Sequence, residues 1–112
     1  MTRDEQFAII DKARGIILAW AHAEGIPLNR IEFVVPFVAT DFGLSTWFFY
    51  ESEAHRQQSE RMGWSPKLKK AFARILSAEG YSTDWLPAVD FVFDSHENVV
   101  TNYHGSYFYR LR

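Results

Sequence analysis

Residues 31–52 read IEFVVPFVATDFGLSTWFFYES, and their alternation decides the fold class. Ile31, Phe33, Val35, Phe37 and Ala39 share one parity; Glu32, Val34, Pro36, Val38 and Thr40 share the other. After Asp41-Phe42-Gly43-Leu44, a second run alternates Thr46, Phe48 and Tyr50 with Trp47, Phe49 and Glu51. Successive side chains of a strand point to opposite faces, and β-branched and aromatic residues suit a pleated surface. Two such runs joined by a short Gly-containing connection predict a β-hairpin. Pro36 removes a ladder donor, which places the first strand at a sheet edge or breaks it there. Both faces carry apolar groups, so one face belongs to the core and the other is covered or used for binding.

Upstream, Asp4 to Glu24 has the spacing of an amphipathic helix: Ile9, Ile10, Ala13, Ile16, Ile17, Trp20 and Ala21 recur every three or four residues. Thr2 or Asp4 is its N-cap and Gly25 its stop. Gly15 lies inside it, which implies close approach of another element. Downstream, Ser52 to Gly63 is either a short exposed polar helix or a mobile connection, and Ser65 to Glu79 is a strongly amphipathic helix. The second has Ser65 as N-cap, Pro66 in the first turn and Gly80 as its stop. Ala88 to Phe93 and Val99 to Tyr103 alternate around the polar quartet Ser95-His96-Glu97-Asn98, which predicts a second hairpin. Tyr107 to Leu111 fits either a fifth strand or a terminal helix. The expected fold is a single α+β domain over residues 1–112. Its antiparallel sheet has four to five strands from two hairpins, with helices packed mainly on one face.

At 112 residues the chain can bury a core without disulfides or metal. It has no cysteine, which excludes a thiolate nucleophile and every Cys-based metal site. Polar Met1 to Gln6 shows no signal peptide, and no apolar run reaches the ~20 residues of a membrane span, so the expected location is cytoplasmic. Asp94, His96, Glu97 and His104 can be drawn as an acid–base or metal site, but a turn uses Asp, Ser and Asn for backbone reasons. No serine sits in a G-x-S-x-G context, and the six glycines form no phosphate loop. The expectation is therefore a non-enzyme with no cofactor and no metal.

Charge is partitioned along the chain although the net value is only −2. Ala54 to Arg74 holds Arg56, Arg61, Lys67, Lys69, Lys70 and Arg74 against one acid, Glu60. Glu79 to Gly105 holds Glu79, Asp84, Asp90, Asp94 and Glu97 and no Lys or Arg. The basic run is either a solvated helix face or, through residues 66–74, a phosphate-binding surface. The acidic run either keeps a hairpin soluble or meets a basic protein surface. Aromatic content is 17%, and Trp85, in a loop beside Asp84, is either a plug over the core or a binding anchor.

The C-terminal stretch VDFVFDSHENVVTNYHGSYFYRLR, Val89 to Arg112, resembles the tails of small bacterial immunity proteins of contact-dependent growth inhibition and related polymorphic toxin systems. The pattern is Phe91-x-Phe93-Asp94-x-x-x-Asn98-Val99 followed by Gly105-Ser106-Tyr107, over about a fifth of the chain. The resemblance implies a protein that binds a cognate toxin domain, often a nuclease, and blocks its active site or an essential surface. It transfers no functional residue, because such families use individual interfaces. A nuclease cleft is basic, so carboxylates backed by aromatic anchors suit its inhibitor. Asp84, Asp90, Asp94 and Glu97 with Tyr81 and Trp85 form the best such set here. Asp90 and Asp94 share a strand face, while Val89, Phe91 and Phe93 turn to the core. The competing readings are a nucleic-acid-binding or regulatory protein using helix 66–74, and a small enzyme centred on His96.

Overall fold

Helix α1, Arg3–Ala23, opens on a capping box: Thr2 Oγ1 accepts from the Glu5 amide at 3.1 Å, and the Glu5 carboxylate accepts from the Thr2 amide at 3.3 Å. Its buried stripe is Gln6, Ile10, Ala13, Ile17 and Ala21. Gly25, at φ +72°, turns the chain, and Pro27 leads into strand β1, Leu28–Val34. The computed structural model describes residues 1–112. Strand β2, Leu44–Tyr50, pairs antiparallel with β1, and Pro36 falls just beyond the paired residues of that edge strand. The connection is longer than the short turn expected, because the alternation of residues 35–40 continues past the end of the ladder.

From Tyr50 the chain passes through α2, Glu53–Met62, and α3, Trp64–Ala78, before returning as β3, Val89–Ser95. Gly63, at φ +70°, ends one helix and starts the next. Ser65 is therefore not the N-cap of α3. Trp64 enters the helix and packs on Tyr50 at 6.1 Å, and the Ser65 hydroxyl lies 2.9 Å from that of Tyr50. A two-helix excursion is long enough to cross over the sheet, and β3 lies parallel to β2.

The sheet is thus three-stranded, ordered β1-β2-β3, with one antiparallel and one parallel pair. The antiparallel sheet of four to five strands from two hairpins is not what forms. The second hairpin fails at the polar quartet. Ser95 has extended backbone, and its hydroxyl accepts from the Asn98 amide at 3.0 Å, so Ser-His-Glu-Asn starts α4, His96–Asn102, instead of turning a strand. Val99, read as a strand residue, is fully buried on that helix. The tail is helical as well, as the single turn α5, Tyr107–Arg110, capped by Ser106.

One sheet face meets α1 and α3. Ile31, Leu44, Phe48 and Tyr50 join Ile10, Ala13, Ile17, Leu68, Phe72 and Leu76 in the core, and Val89, Phe91 and Phe93 pack against it. Phe72 stacks with Phe33 at 5.9 Å and meets Phe48 edge-on at 5.8 Å. The opposite face is covered at its end by α5: Tyr107 packs edge-on against Phe49 at 4.8 Å and Arg110 lies over Trp47 at 4.7 Å. A strand between two others and covered on both faces reads as continuous apolar sequence, which explains Trp47-Phe48-Phe49-Tyr50. Gly15 has no such explanation. It is exposed, and a Cβ there would meet nothing within 4 Å, so the close approach expected at this position is absent.

Candidate protein-binding surface

The segment between β1 and β2 leaves the sheet yet is held by buried groups beneath it. Gln6 occupies a core position of α1 and is fully buried. Its amide nitrogen reaches the carbonyls of Phe42 at 3.4 Å and Gly43 at 3.3 Å and the Tyr81 hydroxyl at 3.0 Å. Tyr81, also buried, donates to the Phe42 carbonyl at 2.5 Å. Arg3 donates to the carbonyls of Pro36 at 2.8 Å and Val38 at 2.6 Å, and to Gln6 Oε1 at 2.5 Å. Trp85 meets Phe42 edge-on at 5.8 Å. Gly43 closes the segment where a Cβ would lie 3.0 Å from Asp41 Oδ1 and 3.5 Å from the Ala88 carbonyl. These contacts fix the backbone at both ends of the loop.

What the loop presents is apolar. Phe37 is completely exposed and Val38 is 63% exposed. Val34, at the end of β1, and Phe7, whose ring lies 6.0 Å from the Arg3 guanidinium, are also exposed on this side. Exposed apolar groups gathered on one side of a fold mark a candidate interaction site, and a few anchors carry most of the energy of a protein interface. Beside the loop, Val34, Val35, Pro36, Asp41, Ala88 and Asp90 contribute to a shallow cleft of about 370 Å³. Asp41 and Asp90 are the acids of this cleft, and Val35 and Pro36 join it to the loop.

The six residues singled out in the sequence divide into two groups. Tyr81 and Trp85 lie under the loop as supports rather than at its surface, while Asp84, next to Trp85, and Asp90 are exposed. Asp94 lies near the other end of β3 and Glu97 just beyond it, with Asp94 about 13 Å from Asp90 at the usual rise of a strand. Asp94 is buried: its carboxylate accepts from Arg110 Nε at 2.5 Å, from Asn98 Nδ2 at 3.0 and 3.1 Å, and from the Ser95 amide at 2.8 Å. Glu97 is exposed, but it accepts from the Glu53 amide at 2.8 Å and so caps α2. Asp90 and Asp94 share a face as the alternation requires, yet only Asp90 is open to solvent.

Three of the four histidines are used locally, and His104 is exposed in a turn with no side-chain hydrogen bond. His96 Nδ1 is 2.6 Å from the Tyr107 hydroxyl, His55 Nδ1 is 2.9 Å from Ser52 Oγ, and His22 Nε2 is 3.2 Å from the Leu28 carbonyl. No three His, Asp or Glu side chains converge closely enough to hold a metal ion. Burial raises the phenol pKa values of Tyr50, Tyr81 and Tyr107 above the ordinary 10.0; hydrogen bonds to Ser65 and Ser59 oppose this at Tyr50, and one from Gln6 opposes it at Tyr81. On α3, Lys67, Lys69, Lys70 and Arg74 are exposed and form no ion pair within the chain.

Phe37 and Val38 continue the alternation of β1, so the pattern alone does not distinguish them from strand residues. The available signal was Pro36, which ends the ladder, combined with Gln6, a polar residue on an otherwise apolar helical stripe. The residues that carry the C-terminal resemblance serve the fold. Phe91 and Phe93 face the core, Asp94 is paired with Asn98 and Arg110, and Val99 is buried. Gly105, at φ +75°, bonds back to the Val99 carbonyl, Ser106 caps α5, and Tyr107 covers Phe49. That pattern builds a β3–α4–α5 closure. Comparison with protein-family models, curated proteins and solved structures returned no match.

Proposed function

We propose that this chain is a non-catalytic binding protein that neutralises a toxin domain in the cytoplasm, as an immunity protein of a bacterial polymorphic toxin system. The observation that supports it most is the braced Val35–Gly43 loop, with Phe37 fully exposed at its tip and acids at its flank. A rigid apolar anchor loses little conformational freedom on binding, and preorganisation of this kind gives affinity without a large interface. Asp84 and Asp90 supply carboxylates for a basic cleft such as that of a nuclease, and complementary charge speeds encounter with it. Asp94 and Glu97 are not part of the proposed surface, because both are engaged within the fold. Tyr81 and Trp85 act from beneath it.

The test starts with the tagged chain in the organism that encodes it, identifying what co-elutes and measuring affinity with the purified partner domain. Combined Asp84→Lys and Asp90→Lys replacement is expected to weaken binding at least tenfold, mostly through a slower association rate. Unchanged binding in that variant removes the acidic flank from the interface.

A second reading has its own observation: four exposed cations on α3 outside any ion pair, Lys67, Lys70 and Arg74 with Lys69, whose ammonium lies over the Phe91 and Phe93 rings. They fit a phosphate backbone, and that mode has a distinct signature. Affinity for nucleic acid would fall steeply with salt, irrespective of sequence, and would be lost on replacing Lys67, Lys70 and Arg74.

A further inference from the structure

The outer edge of β1 has no neighbouring strand, and the only side-chain hydrogen bond to its backbone is the contact of His22 with the Leu28 carbonyl. Helix α1 runs antiparallel above this strand. His22 reaches Leu28, Arg14 lies over Phe33 at 4.9 Å, and Arg3 reaches Pro36 just beyond the strand. Between helix and strand edge lies an open cavity of about 440 Å³, lined by Phe7, Ala8, Ile10, Asp11, Arg14 and Phe33.

Arg14 is unusual among the charged groups of the chain. Its guanidinium donates no hydrogen bond, and its Nε is buried without a partner. The nearest carboxylate oxygen, on the largely exposed Asp11, is 3.6 Å away. Burying an N–H without an acceptor is unfavourable, and a guanidinium laid on a ring face and hydrogen-bonded to no carboxylate is well arranged to receive a planar one.

We infer that β1 accepts an added strand from a partner protein, and that this strand carries an Asp or Glu whose carboxylate meets Arg14. A strand paired along that edge alternates its side chains, so every second one enters the cavity beneath α1. The residue beside Phe33 faces Arg14. The residue two positions further on, beside Val35, faces the half-exposed ring of Phe7 and is a large apolar one. Pro36 sets the end of pairing, since it offers no amide. The partner segment is therefore extended and short, with an acid and a large apolar residue two positions apart, in the order acid–any–apolar if it pairs parallel to β1 and apolar–any–acid if antiparallel. This inference goes beyond the toxin reading, because any protein with such a segment satisfies it.

The experiment is a selection of random displayed peptides on the intact chain, followed by amide chemical-shift mapping and sedimentation. Enriched peptides are expected to share an acid and a large apolar residue two positions apart, in one consistent order, and to shift the amides of residues 29–35 and Phe7. They should also lose about tenfold or more in affinity for Arg14→Gln, the scale of one charge-assisted bidentate contact. Arg14→Lys keeps the charge but not the fork, and should lose affinity as well. The inference is overturned if no peptide is enriched, if those enriched bind Arg14→Gln equally well, or if they map elsewhere. It is equally overturned if the edge is already occupied by a second copy, seen as a dimer with protected β1 amides.

Discussion

Arg110 Nε lies 2.5 Å from Oδ2 of Asp94, joining the last helical turn to the end of strand β3. The same carboxylate accepts from Asn98 and the Ser95 amide, and the Arg110 guanidinium spreads over Trp47 at 4.7 Å and Tyr103 at 5.3 Å. An acid that looks like a surface charge in the sequence is the hub that closes one end of the sheet. Asp94→Ala is expected to cost about 2–4 kcal/mol, since it leaves a largely buried cation and two amide donors without an acceptor. Urea denaturation checks this. A loss under about 0.5 kcal/mol would mean that the pair is not holding the tail.

Tyr81 couples the far end of α3 to the β1–β2 connection. Tyr81→Phe removes its bond to the Phe42 carbonyl and its contact with Gln6, while keeping the ring in place. Two neutral hydrogen bonds of this kind are worth about 1–2 kcal/mol together. Amide exchange in residues 36–43 should accelerate in this variant more than exchange in α1. Uniform acceleration across the chain would show that the loop is not a separately braced unit.

Gly15 is an exposed helical glycine with free space around it. Gly15→Ala should raise stability by about 0.5–1 kcal/mol through the greater helix propensity of alanine. Thermal or urea unfolding measures the gain, and a loss would mean that the position meets something outside the chain's own fold.

Burial holds the phenols of Tyr50, Tyr81 and Tyr107 in their neutral form, with pKa values raised above 10.0. In the unfolded chain they ionise near that ordinary value. Their contribution to stability is therefore complete below about pH 10 and is lost as pH rises through the raised folded values. Alkaline unfolding followed by circular dichroism, beside ultraviolet titration of tyrosinate, should show these phenols ionising late and together with loss of structure. Early ionisation with the fold intact would contradict their burial.

Much of the fold was legible where the local pattern had one meaning. The stripe from Ile10 to Ala21 is a helix, the stripe from Leu68 to Leu76 is another, and the Ile31–Tyr50 region forms an antiparallel pair with Val89, Phe91 and Phe93 facing the core. The errors lie where one residue type serves two structures. Ser95 and Asn98 suit a turn or a helix start, and the choice is made at long range, by the Asp94–Arg110 pair and the burial of Val99. Parallel pairing of β2 with β3 likewise depends on how α2 and α3 cross the sheet, which no window of sequence contains. At the candidate surface, Asp84 and Asp90 were found by their charge. Phe37 was missed because an apolar residue in an alternating run looks the same whether the strand continues or ends.

The most direct measurement replaces that residue. Phe37→Asp changes a side chain that touches solvent alone, so folding and melting temperature should be unaffected within about 0.5 kcal/mol. Capture with the wild-type chain is expected to recover one stoichiometric protein partner, the toxin-bearing end of a larger secreted protein. Capture with Phe37→Asp is expected to lose it, by a factor of ten or more in affinity. Equal recovery by both chains, or recovery of nucleic acid in place of protein, would contradict a binding surface built on the braced loop.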